Sequence, residues 1–116
     1  MNTKTMMKLT IATGAFAILL CGTVRAEDAS VIWGKTCAGC HGKDGKGDTK
    51  MGHKLDVKDY TDAKVQASFT DEKATQAIKE GVKDESGKDK MKAYADKYSD
   101  EEIKSLVAYV RDFKAK

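Results

Sequence analysis

The clearest pattern in the chain lies near its C-terminal end, where Ile103, Leu106, Val107, Val110 and Phe113 recur at i, i+3, i+4 and i+7 spacing. That spacing lines one side of a helix with apolar residues, and the stripe must pack on something. Ser99-Asp100-Glu101-Glu102 just before it is a capping box, in which the Ser99 hydroxyl and the Glu102 carboxylate each satisfy an end amide. Upstream, Thr70 followed by Asp71 and Glu72 reads as an N-cap with acids in the first turn. Ala74, Ala77 and Ile78 share a face before Gly81, which predicts a helix over residues 71–80. Residues 29–36 suit a shorter helix with Asp28 as N-cap and with Val31, Ile32 and Trp33 as its apolar content, Trp33 in the core. Between these elements, Gly42, Gly45, Gly47 and Gly52 lie among charged residues and predict a flexible polar loop. Val57, Tyr60, Val65 and Phe69 allow a short helical or turn-rich segment with no clear period. The chain has no proline, no internal repeat and no alternating strand pattern of useful length, so the fold class expected is all-α.

The first residues follow a different logic. Lys4 and Lys8 precede an apolar stretch over 9–21, and Val24-Arg25-Ala26 ends in small residues, so residues 1–26 read as a secretory signal peptide cleaved after Ala26. The stretch is interrupted by Thr10, Thr13 and Gly14 and falls short of the roughly 20 residues a membrane span requires, so no stable membrane insertion is expected after cleavage; a retained leader acting as an anchor is the alternative. Leu20 before Cys21 is bulkier than the small residue a lipidated cysteine usually follows. Lys4, Lys8 and Arg25, with no acid near them, account for the whole formal charge of +3. The remaining chain is formally neutral, so neither nucleic acid nor an anionic membrane is implied as a partner. Cleavage also removes Cys21, leaving Cys37 and Cys40 as the only thiols.

Residues 27–116 then form one domain whose polypeptide core is small and marginally stabilising. Cys37-Ala38-Gly39-Cys40-His41 answers that problem, because C-x-x-C followed by His is the attachment site of a c-type haem. Each thiol can add across one vinyl group of the porphyrin, and the histidine is held beneath the iron as proximal ligand. The cofactor expected is one haem c, covalent through Cys37 and Cys40. Its flat apolar body would supply much of the buried surface, so the apo chain should fold poorly. A thioredoxin-like dithiol needs a βαβ setting that the pattern does not offer. A zinc site needs four ligands, and beyond His41 only His53 remains. The glycine-rich segment contains no G-x-x-x-x-G-K-[ST] phosphate cradle.

A haem that only moves electrons is expected to have both axial positions filled. Met91, Met51 and His53 are the candidates for the second. Met91 follows His41 by 50 residues, enough chain to travel around the porphyrin to its other face, whereas Met51 and His53 follow by 10 and 12 in a loop expected on the proximal side. His/Met ligation would raise the reduction potential relative to two imidazoles.

An opening helix with Trp33 four residues before Cys37, the Cys37–Gly42 motif, a Met91 loop, the Ser99 capping box and Leu106-Val107-Ala108-Tyr109-Val110-Arg111 together resemble a class I bacterial cytochrome c. The resemblance covers essentially the whole chain after the leader. It implies three main helices around one haem, His41 and Met91 as axial ligands of the iron, and contact between first and last helices near Trp33 and Tyr109. The chain departs from the pattern in two places. Many relatives have a proline beside the ligand methionine, where this chain has Lys92-Ala93-Tyr94. It also lacks the proline whose carbonyl often orients the proximal imidazole, so another carbonyl between Gly47 and Leu55 is expected to do so.

The function expected is that of a periplasmic one-electron carrier between a redox donor and a redox acceptor, monomeric and not an enzyme. Haem attachment by this motif takes place outside the cytoplasmic membrane. Two rivals are an electron-transfer subunit of a larger periplasmic complex and a ligand-binding or peroxidase-like haem protein with an open distal site. Lys35, Lys43, Lys46, Lys50, Lys54 and Lys58 outnumber three acids over 35–58, and Lys88, Lys90, Lys92 and Lys97 outnumber two over 88–97. Both segments would border the haem edge, which suggests a cationic rim for an acidic partner; a solvated, solubilising surface is the alternative.

Overall fold

A computed structural model of the protein describes residues 13–15, 17 and 26–114. The expected leader lies almost entirely outside these residues. Among them no helix is long and apolar enough to cross a membrane.

The described chain is mostly helical. It opens with one continuous helical run: α1 (Ala29–Ile32), a π-helical stretch (Trp33–Cys37) and α2 (Ala38–His41). Asp28 occupies the N-cap position without a side-chain bond; its backbone carbonyl accepts from the amides of Val31 and Ile32 instead. The Ala38 amide reaches back to the Trp33 carbonyl across the wide turn. The helix therefore runs past the expected end at Thr36 and carries the whole cysteine motif on its last turns. Gly42, at φ 79°, turns the chain out of it.

Two short helices follow, α3 (Lys50–Lys54) and α4 (Ala63–Ala67), capped by the side chains of Thr49 and Asp62. The first corrects the expectation of a loop through Gly52. Helix α5 (Asp71–Glu80) has the bounds its pattern predicts: Thr70 accepts from the Lys73 amide and Gly81 ends it at φ 78°. Helix α6 (Asp100–Arg111) carries the complete Ser99–Glu102 capping box.

Between α5 and α6 the chain forms an antiparallel hairpin, β1 (Val82–Lys83) and β2 (Asp89–Met91), which the absence of an alternating pattern did not predict. Strands of two and three residues are too short to show a period of two.

The stripe on α6 does what its spacing requires. Ile103 and Leu106 pack with Ile32 and Tyr98, while Val110 and Phe113 pack with Trp33, which is only 4% exposed. First and last helices thus cross at the core, and the Trp33 and Tyr109 ring centroids lie 5.6 Å apart. Helix α5 also packs on α6, with Lys79 paired to Asp100 at 2.7 Å.

Candidate haem-binding site

Cys37 ends the π-helical stretch and Cys40 and His41 occupy the turn that follows, so one rigid element presents all three side chains. Both thiols are half-buried and free. Burial pushes the Cys37 thiol up to about 11, with nearby Cys40 adding to the rise and Lys97 opposing it. A thiol held protonated in this way is the opposite of the lowered thiolate that a dithiol redox pair uses.

The His41 imidazole sits between two aromatic rings, 5.4 Å from Trp33 and 5.5 Å from Tyr60. The Trp33 indole is itself fixed, its Nε1 donating to the Gly42 carbonyl at 2.9 Å. Burial pushes the imidazole below its ordinary value of 6.5, which favours the neutral, metal-binding form. Its Nδ1 is buried with no partner among the described residues, so the carbonyl expected between Gly47 and Leu55 does not reach it. The local folding of that segment explains why. The carbonyls of Thr49, Met51, Gly52 and His53 accept from His53, Leu55, Val57 and Asp56 in the turns of α3 and its exit. Aromatic packing orients the ring instead.

Helix α3 is pressed onto the cysteine motif. The Thr49 hydroxyl donates to the Cys40 carbonyl at 2.7 Å and accepts from the Gly52 amide at 2.8 Å. A Cβ at Gly52 would collide with the carbonyl oxygens of Cys40 and Gly47, so only glycine permits this approach. The same geometry turns Met51 and His53 outward: Met51 is 42% exposed, and His53 pairs with Asp48 at the surface, 2.7 Å away.

Met91 ends β2 and is partly buried. Three residues on, Tyr94 stands near both thiols: burial raises its phenol, and charge on Cys37, Tyr98 and Cys40 would raise it further. A cavity of about 580 Å³ separates the first helical run from this turn, lined by Lys35, Thr36, Lys92, Ala93, Tyr94, Asp96 and Lys97. Of the lysines expected to form a rim, the structure gathers Lys35, Lys92 and Lys97 around one opening, Lys35 pairing with Glu27. Lys50 and Lys54 instead lie on α3.

Tyr60 is held by groups that carry no local sequence signal. Gln66, 5% exposed, donates through Nε2 to the carbonyls of Tyr60 at 2.7 Å and Val110 at 2.8 Å. Its Oε1 accepts from Arg111 Nη1 at 3.0 Å, and Arg111 also reaches the carbonyls of Gln66 and Phe69 and the Asp71 carboxylate. The guanidinium carbon lies 4.3 Å from the Phe69 ring centroid. Tyr60 thus reaches His41 from a segment tied to α6. Its aromatic character was visible in the sequence, but its neighbour was not.

Two thiols on successive turns, a neutral imidazole with an unpartnered buried nitrogen, and aromatic walls from Trp33 and Tyr60 suit a covalently held haem. With the helical fold, they define a c-type cytochrome of class I. The chain belongs to the family described as cytochrome C oxidase, cbb3-type, subunit III, which matches residues 24–110. Among solved structures, "KustC0563 c-type cytochrome" is similar with a TM-score of 0.66 and 34% identity, over 76% of this chain and 99% of that one. A tyrosine-to-phenylalanine mutant of the same protein gives a TM-score of 0.64 and 34% identity, over 76% of this chain and all of that one. No curated protein matches the chain.

Proposed function

We propose that this chain is a periplasmic one-electron carrier in which Cys37 and Cys40 hold one haem c through thioether bonds and His41 and Met91 are the axial iron ligands. The observation that carries this reading is the His41 site: a neutral, buried imidazole beside two half-buried thiols, gripped by aromatic rings rather than by a hydrogen bond. Bound there, the haem iron supplies a ferric/ferrous couple that accepts and releases one electron.

The protein's part is to bind, orient and exclude water. Trp33 and Tyr60 limit rotation of the His41 ring, so little rearranges when charge at the metal changes. Met91 offers a soft thioether that favours the reduced state and raises the potential. Met51 and His53, the other donors, face solvent on α3, which supports Met91 as the second ligand. Lys35, Lys92 and Lys97 around one opening suit brief docking of an acidic redox partner.

The family description favours a second reading, in which the chain is the electron-transfer subunit of a larger oxidase-type complex. Co-purification of other subunits from solubilised membranes would support that role; recovery of a free monomer supports the diffusing carrier. The ligand set is tested by the weak far-red charge-transfer band that reports sulfur on ferric iron. Met91→Ala should abolish it and Met51→Ala should leave it; the reverse result overturns the assignment.

A further inference from the structure

We propose that the β1–β2 hairpin, closed at its tip by Asp84 and seated on Gly81, is the device that clamps Met91 in position. The inference rests on the reading of Met91 as an iron ligand and assigns positioning roles to Asp84 and Gly81. The chain has no proline anywhere, so stiffness at Met91 must come from other contacts.

A two-stranded hairpin this short is marginal by itself. Its strands pair Val82 with Met91 and Lys83 with Asp89, with an irregular register between the pairs, and Val82 is exposed, so little apolar burial holds them together. The tip supplies what the strands lack. Asp84 Oδ1 accepts from the Ser86 amide at 2.9 Å, the Ser86 hydroxyl at 2.6 Å and the Lys88 amide at 3.0 Å. The Asp84 amide donates to the Lys88 carbonyl at 2.9 Å, and Gly87 turns the chain at φ 84°. One carboxylate thus fastens three groups of the loop. Its pKa is lowered first by the Ser86 hydroxyl and then by the Lys88 amide, as expected for a carboxylate engaged in its ionised form.

The other end of the clamp is steric. A Cβ on Gly81 would lie 2.6 Å from the Met91 carbonyl oxygen, 2.9 Å from the Ala93 nitrogen and 3.0 Å from the Lys92 carbonyl carbon. These are backbone atoms, which cannot swing aside, so residues 91–93 run directly over the end of α5. Immediately downstream, the Tyr94 amide donates to the Ile78 carbonyl at 2.9 Å and the Ala95 amide to the Lys79 carbonyl at 3.3 Å. Met91 is therefore held upstream by the hairpin, beneath by Gly81 and downstream by α5, whose Ile78 packs on the core.

The test uses the haem-loaded protein in its oxidised form, with free imidazole as the competing ligand. Displacement of the methionine is followed by loss of the far-red band, and global unfolding by guanidinium is measured in parallel. Asp84→Ala should speed displacement about tenfold, the effect expected when one or two net hydrogen bonds at the tip are lost, with little change in the unfolding midpoint. Asp84→Asn retains an acceptor oxygen and should return most of the rate toward wild type. Gly81→Ala should speed displacement further or abolish the band, and Glu85→Ala should change nothing. The proposal is overturned if Asp84→Ala and Gly81→Ala both keep the wild-type displacement rate, or if Asp84→Ala alters it only in proportion to lost global stability. A band that survives Met91→Ala would overturn the ligand assignment, and the clamp's role with it.

Discussion

Replacing Gln66 by leucine tests whether Tyr60, whose ring lies beside His41, is held from the far side of the protein. The side chain is 5% exposed and makes three bonds at once. The loss is unequal among its partners. The Val110 carbonyl still accepts from the Phe113 amide at 3.3 Å, and Arg111 Nη1 keeps the Gln66 main-chain carbonyl at 2.6 Å. The Tyr60 carbonyl has no other donor among the described residues, so it loses its protein partner in a partly buried position. A partly buried acceptor left without a partner costs about 1–2 kcal/mol, toward the low end of the range for full burial, and the lost charge-assisted bond from Arg111 about 1 more. Leucine is similar in volume and apolar, so it opens no large cavity to add to that sum.

The expected destabilisation is therefore about 2–3 kcal/mol, a large share of what a domain of this size has. In a thermal melt of the haem-loaded protein that corresponds to a fall of roughly 10–25 °C. The assay should be paired with paramagnetic NMR of the oxidised protein, in which hyperfine-shifted resonances report the plane of the axial imidazole. Loosening Tyr60 frees one of the two rings that grip His41, so those resonances should shift or broaden. Gln66→Glu, which keeps an acceptor for Arg111 but loses the donor to Tyr60, should reproduce the spectral change. A melt within 2 °C of wild type, or a large fall in stability with unaltered His41 resonances, would refute the reasoning about the network or about its reach, respectively.

Other perturbations follow from the same contacts. Thr49→Val removes the α3 cap and the bond to the Cys40 carbonyl and should cost about 1–2 kcal/mol in denaturant unfolding. The Glu102 carboxyl is held below its ordinary value of 4.5 first by the Ser99 amide and then by the main-chain nitrogen of Glu27, which cleavage after Ala26 would make a cation, so the unfolded chain takes up the proton first as the solution is acidified. Its contribution is complete above 4.5 and disappears as pH falls through the lower folded value, so Glu102→Gln should destabilise at neutral pH and converge with wild type in acid melts. Lys92→Glu with Lys97→Glu should slow stopped-flow electron transfer to an acidic partner and flatten its dependence on ionic strength. Replacing both Cys37 and Cys40 by serine should yield a protein with weakened helical circular dichroism, since the clusters around Ile32 and Trp33 are small without the cofactor.

What could be read from the chain alone follows the range of the interactions involved. Helix α5 was legible to the residue and α6 at its start, because each carries its own cap, and α6 also carries an apolar stripe that runs past its end at Arg111 to Phe113. The first helix was legible only to Thr36, because Cys37, Ala38 and Gly39 have no apolar period of their own. It continues through His41 along a π-helical turn that no residue type announces. Helix α3 was hidden for a related reason. Gly52 argues locally for a loop, yet it is present because the helix lies against the carbonyls of Cys40 and Gly47. The hairpin escaped because its hydrogen bonds close on a turn rather than on a pattern of side chains.

The site divides along the same line. Cys37, Cys40 and His41 announce themselves as candidates through chemistry packed into five residues, and Met91 is proposed with them from its distance along the chain. Of the two rings beside His41, Trp33 shares its helical run but Tyr60 is held from afar, through Gln66, and Gln66 through Arg111, 45 residues away. That arrangement has a consequence for how the protein tolerates change. On the proposed assignment, replacing a motif residue should cost the cofactor, whereas the supporting residues act through packing and shared hydrogen bonds. Substitution there should retain a bound haem while altering ring orientation and stability together. A variant of Gln66 or Arg111 that lost haem attachment outright would show that α6 helps form the site itself, beyond setting the ring of the proposed ligand His41.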